Sequence, residues 1–229
     1  MAFQLKQSTS VDFATIPLVA RAFRKQGKPV VLVALSTGLH AGHIRLLDAA
    51  RRIPGSVVIA SHEGIELTGV DAQVNISDEQ LWPHGRHVRL DTGLWHEDIE
   101  PELARLIALI LHIGPSDLVV GEKDWELLLA LQKTVRDLHI PIKIHSVPVV
   151  RNADGVALSL STPGDIAIAA ALTAGVFVAD QGTQAVLAAA HSVLAAANIE
   201  VEYLDVVGQR LIVGAIVDGA RYIDNAGLA

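Results

Sequence analysis

Two histidines, His40 and His43, stand three positions apart and enclose Gly42 in the stretch "LSTGLHAGHIRLL". An apolar run precedes this stretch and a helical pattern follows it, so the histidines lie where a strand passes into a helix. A helix N-terminus offers free backbone N–H groups and the positive end of the helix dipole to an anion. Two imidazoles there can donate hydrogen bonds to a polyphosphate and stabilise the charge that develops on it. The stretch therefore predicts a phosphate site, with Gly42 allowing close approach to the backbone.

The histidine spacing alone is not specific. Two histidines three apart are most often ordinary surface or core residues, and occasionally they form half of a metal site. The position of the pair favours the phosphate interpretation, because open α/β sheets bind their ligands at strand-to-helix junctions.

A second group of chemically useful residues follows a later apolar run, in "GEKDWELL". Gly121 permits close approach to the backbone, and Lys123 can meet a phosphate. Asp124 can bind ribose hydroxyls or cap a helix. The alternative is a plain helix N-cap with charged surface neighbours.

A third group lies in "VVRNADGVALSLS", which holds Arg151, Asp154, Ser159 and Ser161. The Asp-Gly pair marks a turn. A turn-rich loop without chemistry is the alternative here.

Strand and helix patterns alternate along the first part of the chain, which predicts a parallel α/β sheet with right-handed crossovers. The predicted strands are Val30 to Leu35, Ser56 to Ser61, Ala72 to Ile76, Arg86 to Leu90, Asp117 to Val120 and Ile142 to Val147. The predicted helices are Ala41 to Ile53, Glu97 to Ile113 and Asp124 to Leu138.

The character of the sequence changes after Pro148. A loop-rich passage comes first, and then two alanine-rich helices and three short strands are predicted. We place a domain boundary near Thr162, so that residues 1–162 form a nucleotide-type α/β domain and residues 163–229 a small α+β domain. The predicted elements of the second domain are helices Asp165 to Val178 and Thr183 to Ala196, and strands Glu200 to Val206, Leu211 to Val217 and Arg221 to Asp224.

Composition limits the partners and the compartment. The formal net charge of −7 argues against a nucleic-acid backbone as the partner. Cysteine is absent, which excludes disulfides and thiolate metal sites. The N-terminal "MAFQLKQSTS" lacks an apolar signal core, and no uninterrupted membrane span is present. We therefore expect a cytoplasmic protein that binds neither nucleic acid nor membrane.

Histidines and tryptophans are frequent in the middle of the chain. The histidines could form a new metal or acid site, or they could be exposed loop residues. The tryptophans could line a pocket or pack beneath a loop. The residues concerned are His62, His84, His87, His96, Trp82 and Trp95.

Several stretches occur in the same order as in the pantothenate synthetase (pantoate–β-alanine ligase) family, which the chain resembles over most of its length. They are "GLHAGHIRLLDAARRIPGSVV", "LVVGEKDWELL", "VPVVRNADGVALS" and the terminal "VEYLDVV" to "RYIDN". The resemblance implies a Rossmann-like nucleotidylyltransferase domain with an H-x-G-H signature and a small C-terminal α+β domain. It also implies ATP and Mg²⁺, an acyl-adenylate that is passed to an amine, and a homodimer.

The resemblance also implies roles for the nucleotide-side residues. His40 and His43 match the histidines that serve the triphosphate and the transition state. Gly121, Lys123 and Asp124 match the motif that holds ribose and phosphates. The predicted catalytic residues are His40, His43 and Lys123, and the predicted nucleotide-binding residues are Gly38, Gly42, Gly121, Asp124, Ser159 and Ser161.

The positions that match the family's acid-binding residues depart from the family pattern. The family segment F-V-N-P-x-Q-F, whose glutamine binds pantoate, reads "EGIELTG" here, with Thr68 nearest that glutamine. Glu126 and Leu127 replace the glutamine pair after the GEKD motif, and the arginine of the family's S-S-R-N is missing. Losing groups that hydrogen-bond a substrate costs orders of magnitude in discrimination. We therefore predict an acid other than pantoate, with Thr68 and Glu126 as the candidate acid-binding residues.

Three functions remain open from the sequence. The first is an ATP-dependent carboxylate–amine ligase, and the second is a nucleotide-binding homologue that has lost ligase activity. The third is nucleotidyl transfer to a phosphate-bearing acceptor, which needs a basic pocket. Arg86, Arg89 and Arg105 are the candidates for that pocket.

Overall fold

The computed structural model describes residues 5–35, 39–64, 66–93, 95–158 and 165–228. These residues pack into two compact units, which are described separately. The first contains Met1–Gly121 and Leu127–Val147, and the second contains Glu122–Glu126 and Pro148–Ala229. Residues 148–158 thus pack with the second unit, ahead of the boundary near Thr162, which stays a prediction.

The first unit contains a six-stranded parallel sheet with strand order β1-β4-β3-β2-β5-β6. Its strands are β1 (Thr9–Ser10), β2 (Val30–Ala34), β3 (Val57–His62), β4 (Ala72–Asn75), β5 (Asp117–Gly121) and β6 (Lys143–Val147). The central strands are continuous runs of apolar residues, as expected where both faces of a parallel sheet are covered. The predicted parallel α/β sheet is confirmed.

Helices cover both faces of this sheet. The helices are α1 (Ile16–Lys25), α2 (Ala41–Arg52), α3 (Asp78–Leu81), α4 (Glu100–Ile113) and α5 (Trp125–Asp137). Val31 and Val33 of β2 pack with Leu47 of α2 on one face, whereas Val30 and Leu32 pack with α1, α4 and α5 on the other. This division follows from the two-residue period of a strand. Burial of each such aliphatic side chain contributes about 1.5–3 kcal/mol.

The predicted strand from Arg86 to Leu90 is not formed, and these residues are irregular. The Glu100 carboxylate explains the difference, because it accepts hydrogen bonds from the Arg86 guanidinium and from the backbone N–H of Leu90. The segment is therefore bound to α4 and is not paired with a strand.

Two helices were not predicted from the sequence, although each has an N-terminal signal. The Asp12 carboxylate accepts from the backbone N–H and hydroxyl of Thr15 just before α1, and Pro17 lies in the first turn. Ser77 and Gln80 form a reciprocal capping box at α3.

The second unit contains two helices and an antiparallel sheet of order β7-β8-β9. Its elements are α6 (Asp165–Phe177), a short 3-10 helix (Ala179–Gln181), α7 (Thr183–Ala196), β7 (Glu200–Val207), β8 (Arg210–Val217) and β9 (Ala220–Gly227). Apolar residues of both helices and of β8 form its core. This agrees with the predicted small α+β arrangement. Within the described ranges, no helix has the length and apolar character needed to cross a membrane.

Candidate active site

The carboxyl ends of β2 and β5 form a topological switch point in the first unit. These strands are neighbours, yet α2 after β2 covers one face of the sheet and α5 after β5 packs on the other. Open α/β sheets bind ligands in the crevice outside the carboxyl ends of strands at such a point. His40 follows β2 here, and Gly121 is the last residue of β5.

His40 is the N-cap of α2. Its backbone is extended (φ −132°, ψ 171°), and its Nδ1 accepts a hydrogen bond of 3.1 Å from the backbone N–H of Gly42. An Nδ1 that accepts leaves the proton of the neutral ring on Nε2. The imidazole of His40 therefore carries an N–H donor at the end of the helix where an anion is favoured.

His43 lies one turn further along α2, and its ring stacks on that of His40. The ring centroids are 3.8 Å apart and the ring planes differ by 25°. Nδ1 of His43 is buried. The two predicted histidines are thus brought together, as their spacing on a helix requires.

Gly42 makes room for the His40 imidazole. A Cβ atom at this position would lie 2.8 Å from Cε1 and 2.9 Å from Nδ1 of His40. The approach of a phosphate to the backbone at Gly42 stays a prediction, and in this structure the ring of His40 lies beside this position. Gly42 is therefore needed for the stacked arrangement itself.

Gly121 lies at the same edge of the sheet, at the end of β5. A Cβ atom here would be in ordinary contact, 3.9 Å from Cδ2 of Leu46 on α2. Three other predicted nucleotide-binding residues, Gly38, Ser159 and Ser161, lie outside the described residues.

Lys123 and Asp124 belong to the second unit and occupy bends before α5. The Lys123 ammonium lies 3.7 Å from the Asp124 carboxylate. Both side chains reach solvent, with 28% and 51% of their surfaces exposed. Glu126, in the first turn of α5, is by contrast buried.

Residues that no sequence motif indicated hold this segment. Asn225 donates from its side-chain amide to the carbonyl oxygens of Glu122 and Lys123. Arg210 pairs with the Glu122 carboxylate. The pair Asp224-Asn225 inside a strand is the signal that could have identified this region, because Asp and Asn are depleted in strands.

Thr68 is not brought to the histidine pair. Its carbonyl oxygen and that of Gly69 accept hydrogen bonds from the Arg51 guanidinium, at 3.3 and 2.7 Å. Arg51 lies in the last turn of α2, eight residues after His43, which is about 12 Å along the helix axis. The chain between β3 and β4 has therefore returned to the amino ends of the strands by Thr68, and the acid-binding role of Thr68 stays a prediction.

The histidines of the central region differ in how far they are buried. His84, His87 and His96 are exposed loop residues, whereas His62 is buried at the carboxyl end of β3. Burial lowers the pKa of His62 below its ordinary value, which favours the neutral ring. Within the described part of the chain, no group of three or more His, Asp or Glu side chains is placed to hold a metal ion.

The two tryptophans of this region make packing contacts. The indole N–H of Trp95 donates to the Thr92 hydroxyl, and the Lys133 ammonium lies 4.5 Å from the Trp95 ring centroid. The Arg86 guanidinium lies over the ring of Trp82. These contacts favour the packing interpretation over a replaced pocket.

Two of the three arginines proposed for a basic acceptor pocket are paired with acids. Arg86 and Glu100 form a two-point ion pair, whose hydrogen bonds raise the pKa of Arg86 and lower that of Glu100. Arg105 pairs with Glu63 and Asp78. Carboxylates thus neutralise these guanidinium groups, which weighs against phosphate binding by them.

Comparison with known proteins identifies the family. Residues 103–226 match the family model for pantoate-beta-alanine ligase. Pantothenate synthetase from Corynebacterium jeikeium is 35% identical, and the match covers 95% of this chain and 88% of that protein. The chain belongs to the pantoate–β-alanine ligase family. A second pantothenate synthetase, from Mycobacterium sp. strain KMS, is 31% identical over 90% of this chain and 83% of its own length.

Solved structures of this family share the fold. Pantothenate synthetase from Thermus thermophilus superposes with a TM-score of 0.80 at 26% identity, covering 96% of this chain and 99% of that one. The pantoate–β-alanine ligase of Francisella tularensis, crystallised with β-γ ATP and β-alanine, has a TM-score of 0.72 at 20% identity and covers 96% and 97%. The predicted family and Rossmann-like fold are confirmed, and the chain is a member of a family of ATP-dependent ligases.

Proposed function

We propose that this protein is an ATP-dependent carboxylate–amine ligase that acts through an acyl-adenylate. The observation that carries the proposal is the stacked pair of His40 and His43 at the N-terminus of α2, beside the switch point of the sheet. The ring N–H of His40 and the positive end of the helix dipole both favour negative charge at this place. A bound triphosphate supplies that charge.

The proposed reaction has two steps. A carboxylate oxygen of the acid attacks the α-phosphorus of ATP, an O–P bond forms, and the bond to the β-phosphate oxygen breaks, so that pyrophosphate leaves. The amine nitrogen then attacks the acyl carbon, a C–N bond forms, AMP leaves, and the nitrogen gives up a proton. In the first step negative charge moves toward the departing pyrophosphate, so donors fixed beside it stabilise the transition state more than the ground state.

We assign His40 and His43 to that stabilisation. The hydrogen bond from Gly42 fixes the tautomer and orientation of His40 before ATP binds, and such preorganisation avoids reorganisation during reaction. Lys123 and Asp124 are proposed to serve the phosphates and the ribose, because their motif matches the family's. Gly121 and Ser159 are proposed nucleotide-binding residues on the same ground. Gly38, Gly42 and Ser161 are proposed with them because they lie in the same stretches as the matching residues. Mg²⁺ prefers phosphate oxygens and water as ligands, so we propose that it enters with the ATP.

We propose that the acid is not pantoate. The family's glutamine positions offer side-chain amides, whereas Glu126 is a buried acid that has lost the amide N–H donors. Thr68 lies near the amino ends of the strands, held by Arg51, and supplies no replacement at the histidine pair. Buried hydrogen-bonding groups give the strongest discrimination among substrates, so their loss predicts a changed acid.

ATP binding is the first test. We would titrate MgATP into the native chain and into His43→Ala and Lys123→Ala by calorimetry, because each substitution removes one proposed phosphate contact. Binding by the native chain that each substitution weakens supports the proposal. No binding by the native chain would overturn it.

Product analysis then separates the functions. Pyrophosphate release would be screened over a panel of carboxylic acids that includes pantoate, with β-alanine as the first amine because the Francisella protein was crystallised with it. An acyl-adenylate and pyrophosphate support the ligase, and a dinucleotide-type product would indicate nucleotidyl transfer. Pantoate as the best acid would refute the proposed change of substrate. The homodimer implied by the resemblance stays a prediction that light scattering can check.

A further inference from the structure

The segment that carries Lys123 is held by an amide from a distant strand. Glu122, Lys123 and Asp124 form bends, outside any strand or helix. The Nδ2 atom of Asn225, on β9, donates to the carbonyl oxygen of Glu122 at 2.9 Å and to that of Lys123 at 2.7 Å. Both hydrogens of one amide are thus used on two successive carbonyls of the motif. Asn225 is only 1% exposed, so water does not compete for these bonds.

The orientation of the Asn225 amide is fixed from its other side. Its Oδ1 accepts a hydrogen bond of 2.5 Å from Arg210 on β8. The same guanidinium pairs with the Glu122 carboxylate and lies 4.5 Å from the ring centroid of Trp125. The indole N–H of Trp125 in turn donates to the carbonyl oxygen of Val207, at 3.0 Å. The bend is therefore attached to this sheet at several points.

The residue next to Asn225 holds a second loop. Asp224, 3% exposed, accepts two hydrogen bonds from the Arg151 guanidinium, at 2.8 and 2.9 Å. Arg151 also donates to the carbonyl oxygens of Asn225 and Gly155. Arg151 was a candidate for chemistry in the sequence, but its guanidinium is committed to this loop. The dipeptide Asp224-Asn225 thus fixes both the Lys123 segment and the turn after Arg151.

We propose that Asn225 is a positioning residue for nucleotide binding, which acts by holding the backbone at Lys123. This inference rests on the proposed function, because it assumes that Lys123 meets the phosphates. A lysine ammonium sits on a long flexible stem, so its placement depends on a rigid backbone origin. Two hydrogen bonds to the carbonyls of residues 122 and 123 supply that rigidity where regular secondary structure does not.

Asn225→Asp is the sharpest test, because it keeps the shape and replaces the amide N–H₂ by an oxygen. That oxygen would face two carbonyl oxygens that now lie within 3 Å of Nδ2. We expect MgATP affinity, measured by calorimetry, to fall about 10- to 100-fold, because a displaced Lys123 would lose a charged hydrogen bond to phosphate, and such bonds contribute about that factor. In a Lys123→Ala background the same change should cost little more, because residues that act through one group are not additive.

Two further variants keep the test decisive. Val213→Ala, in the buried core of the same sheet, should lower the melting temperature of the protein without changing MgATP affinity. Arg210→Gln removes the guanidinium that orients the Asn225 amide, so it should also weaken MgATP binding. It serves as the test if Asn225→Asp does not fold.

The outcomes separate this inference from the proposed function. No MgATP binding by the native chain would overturn the proposed function. Native binding that Lys123→Ala weakens, but that Asn225→Asp and Arg210→Gln leave unchanged, would overturn the positioning role alone. Equal losses for Asn225→Asp with and without Lys123 would also overturn it, because the amide would then act by another route.

Discussion

Replacing Gly42 by alanine should disable the histidine pair while leaving the fold intact. The new Cβ would stand 2.8 Å from Cε1 of His40, whereas ordinary contact begins near 3.4 Å. The imidazole must therefore retreat by about 0.6 Å or more, since carbon atoms repel strongly inside their optimal separation. The ring belongs to a side chain that can rotate, so the clash is relieved by moving His40 and not by unfolding α2.

The stability terms of this substitution largely cancel. Alanine in a helix is favoured over glycine by about 0.5–1 kcal/mol. Loss of the cap from His40 Nδ1 to the Gly42 N–H costs about 0.5–2 kcal/mol. The net loss is then at most about 1.5 kcal/mol, so for a chain of this size the melting temperature should fall by no more than about 6 °C. The rate should fall about 100-fold, because a catalytic group displaced by about 1 Å loses that much.

Pyrophosphate release with the best acid of the panel, together with thermal unfolding, checks this prediction. Gly227→Ala is the matched control, because no atom lies within 4 Å of the Cβ that it adds. The double variant Gly42→Ala with His40→Ala should be no slower than His40→Ala alone. A Gly42→Ala protein with the native rate would refute the reasoning, since the displaced ring would then have no part in catalysis.

Two further predictions concern stability. Burial lowers the pKa of His62 in the folded chain below its ordinary value of about 6.5. The neutral His62 ring therefore contributes fully to stability above about pH 6.5, and this contribution is lost as the pH falls from there toward the folded pKa. Denaturant unfolding at several pH values should show this loss in the native chain and not in His62→Leu. Arg151→Met should destabilise the protein by about 3–5 kcal/mol, because it leaves the Asp224 carboxylate buried without its ion pair. Arg136→Met, which breaks an exposed pair, should cost about 1 kcal/mol or less in the same assay.

The elements beside the histidine pair were predictable because their signals are local. The apolar run of β2, the helical spacing of α2 and the H-x-G-H stretch lie within two dozen consecutive residues. The apolar runs also predict where β2 and β5 end. The switch point between β2 and β5, however, depends on strand order, which an apolar run does not specify.

The Arg86 to Leu90 segment shows how tertiary contacts override a local pattern. Its alternating residues predict a strand, but the Glu100 carboxylate on α4 binds the Arg86 guanidinium and accepts from the Leu90 backbone N–H, which a strand partner could have used. The surroundings of Gly42 also depend on a contact that the sequence does not display. Its small size is visible in the sequence, but the ring that fills the space is not, because the rotamer of His40 depends on the cap it forms.

Thr68 and Asn225 show why matching positions in sequence does not identify all the residues at a site. Thr68 is near the family's glutamine in sequence, yet its backbone is held by Arg51, about 12 Å along the axis of α2 from His43, so proximity in the chain does not establish proximity to the histidine pair. Asn225 lies 102 positions from Lys123, yet its amide donates a hydrogen bond to the Lys123 carbonyl oxygen. Residues that touch a ligand can be inferred from motifs at strand ends. The residues that hold those motifs in place are joined to them by hydrogen bonds between distant parts of the chain, and they become visible only when the fold brings the partners together.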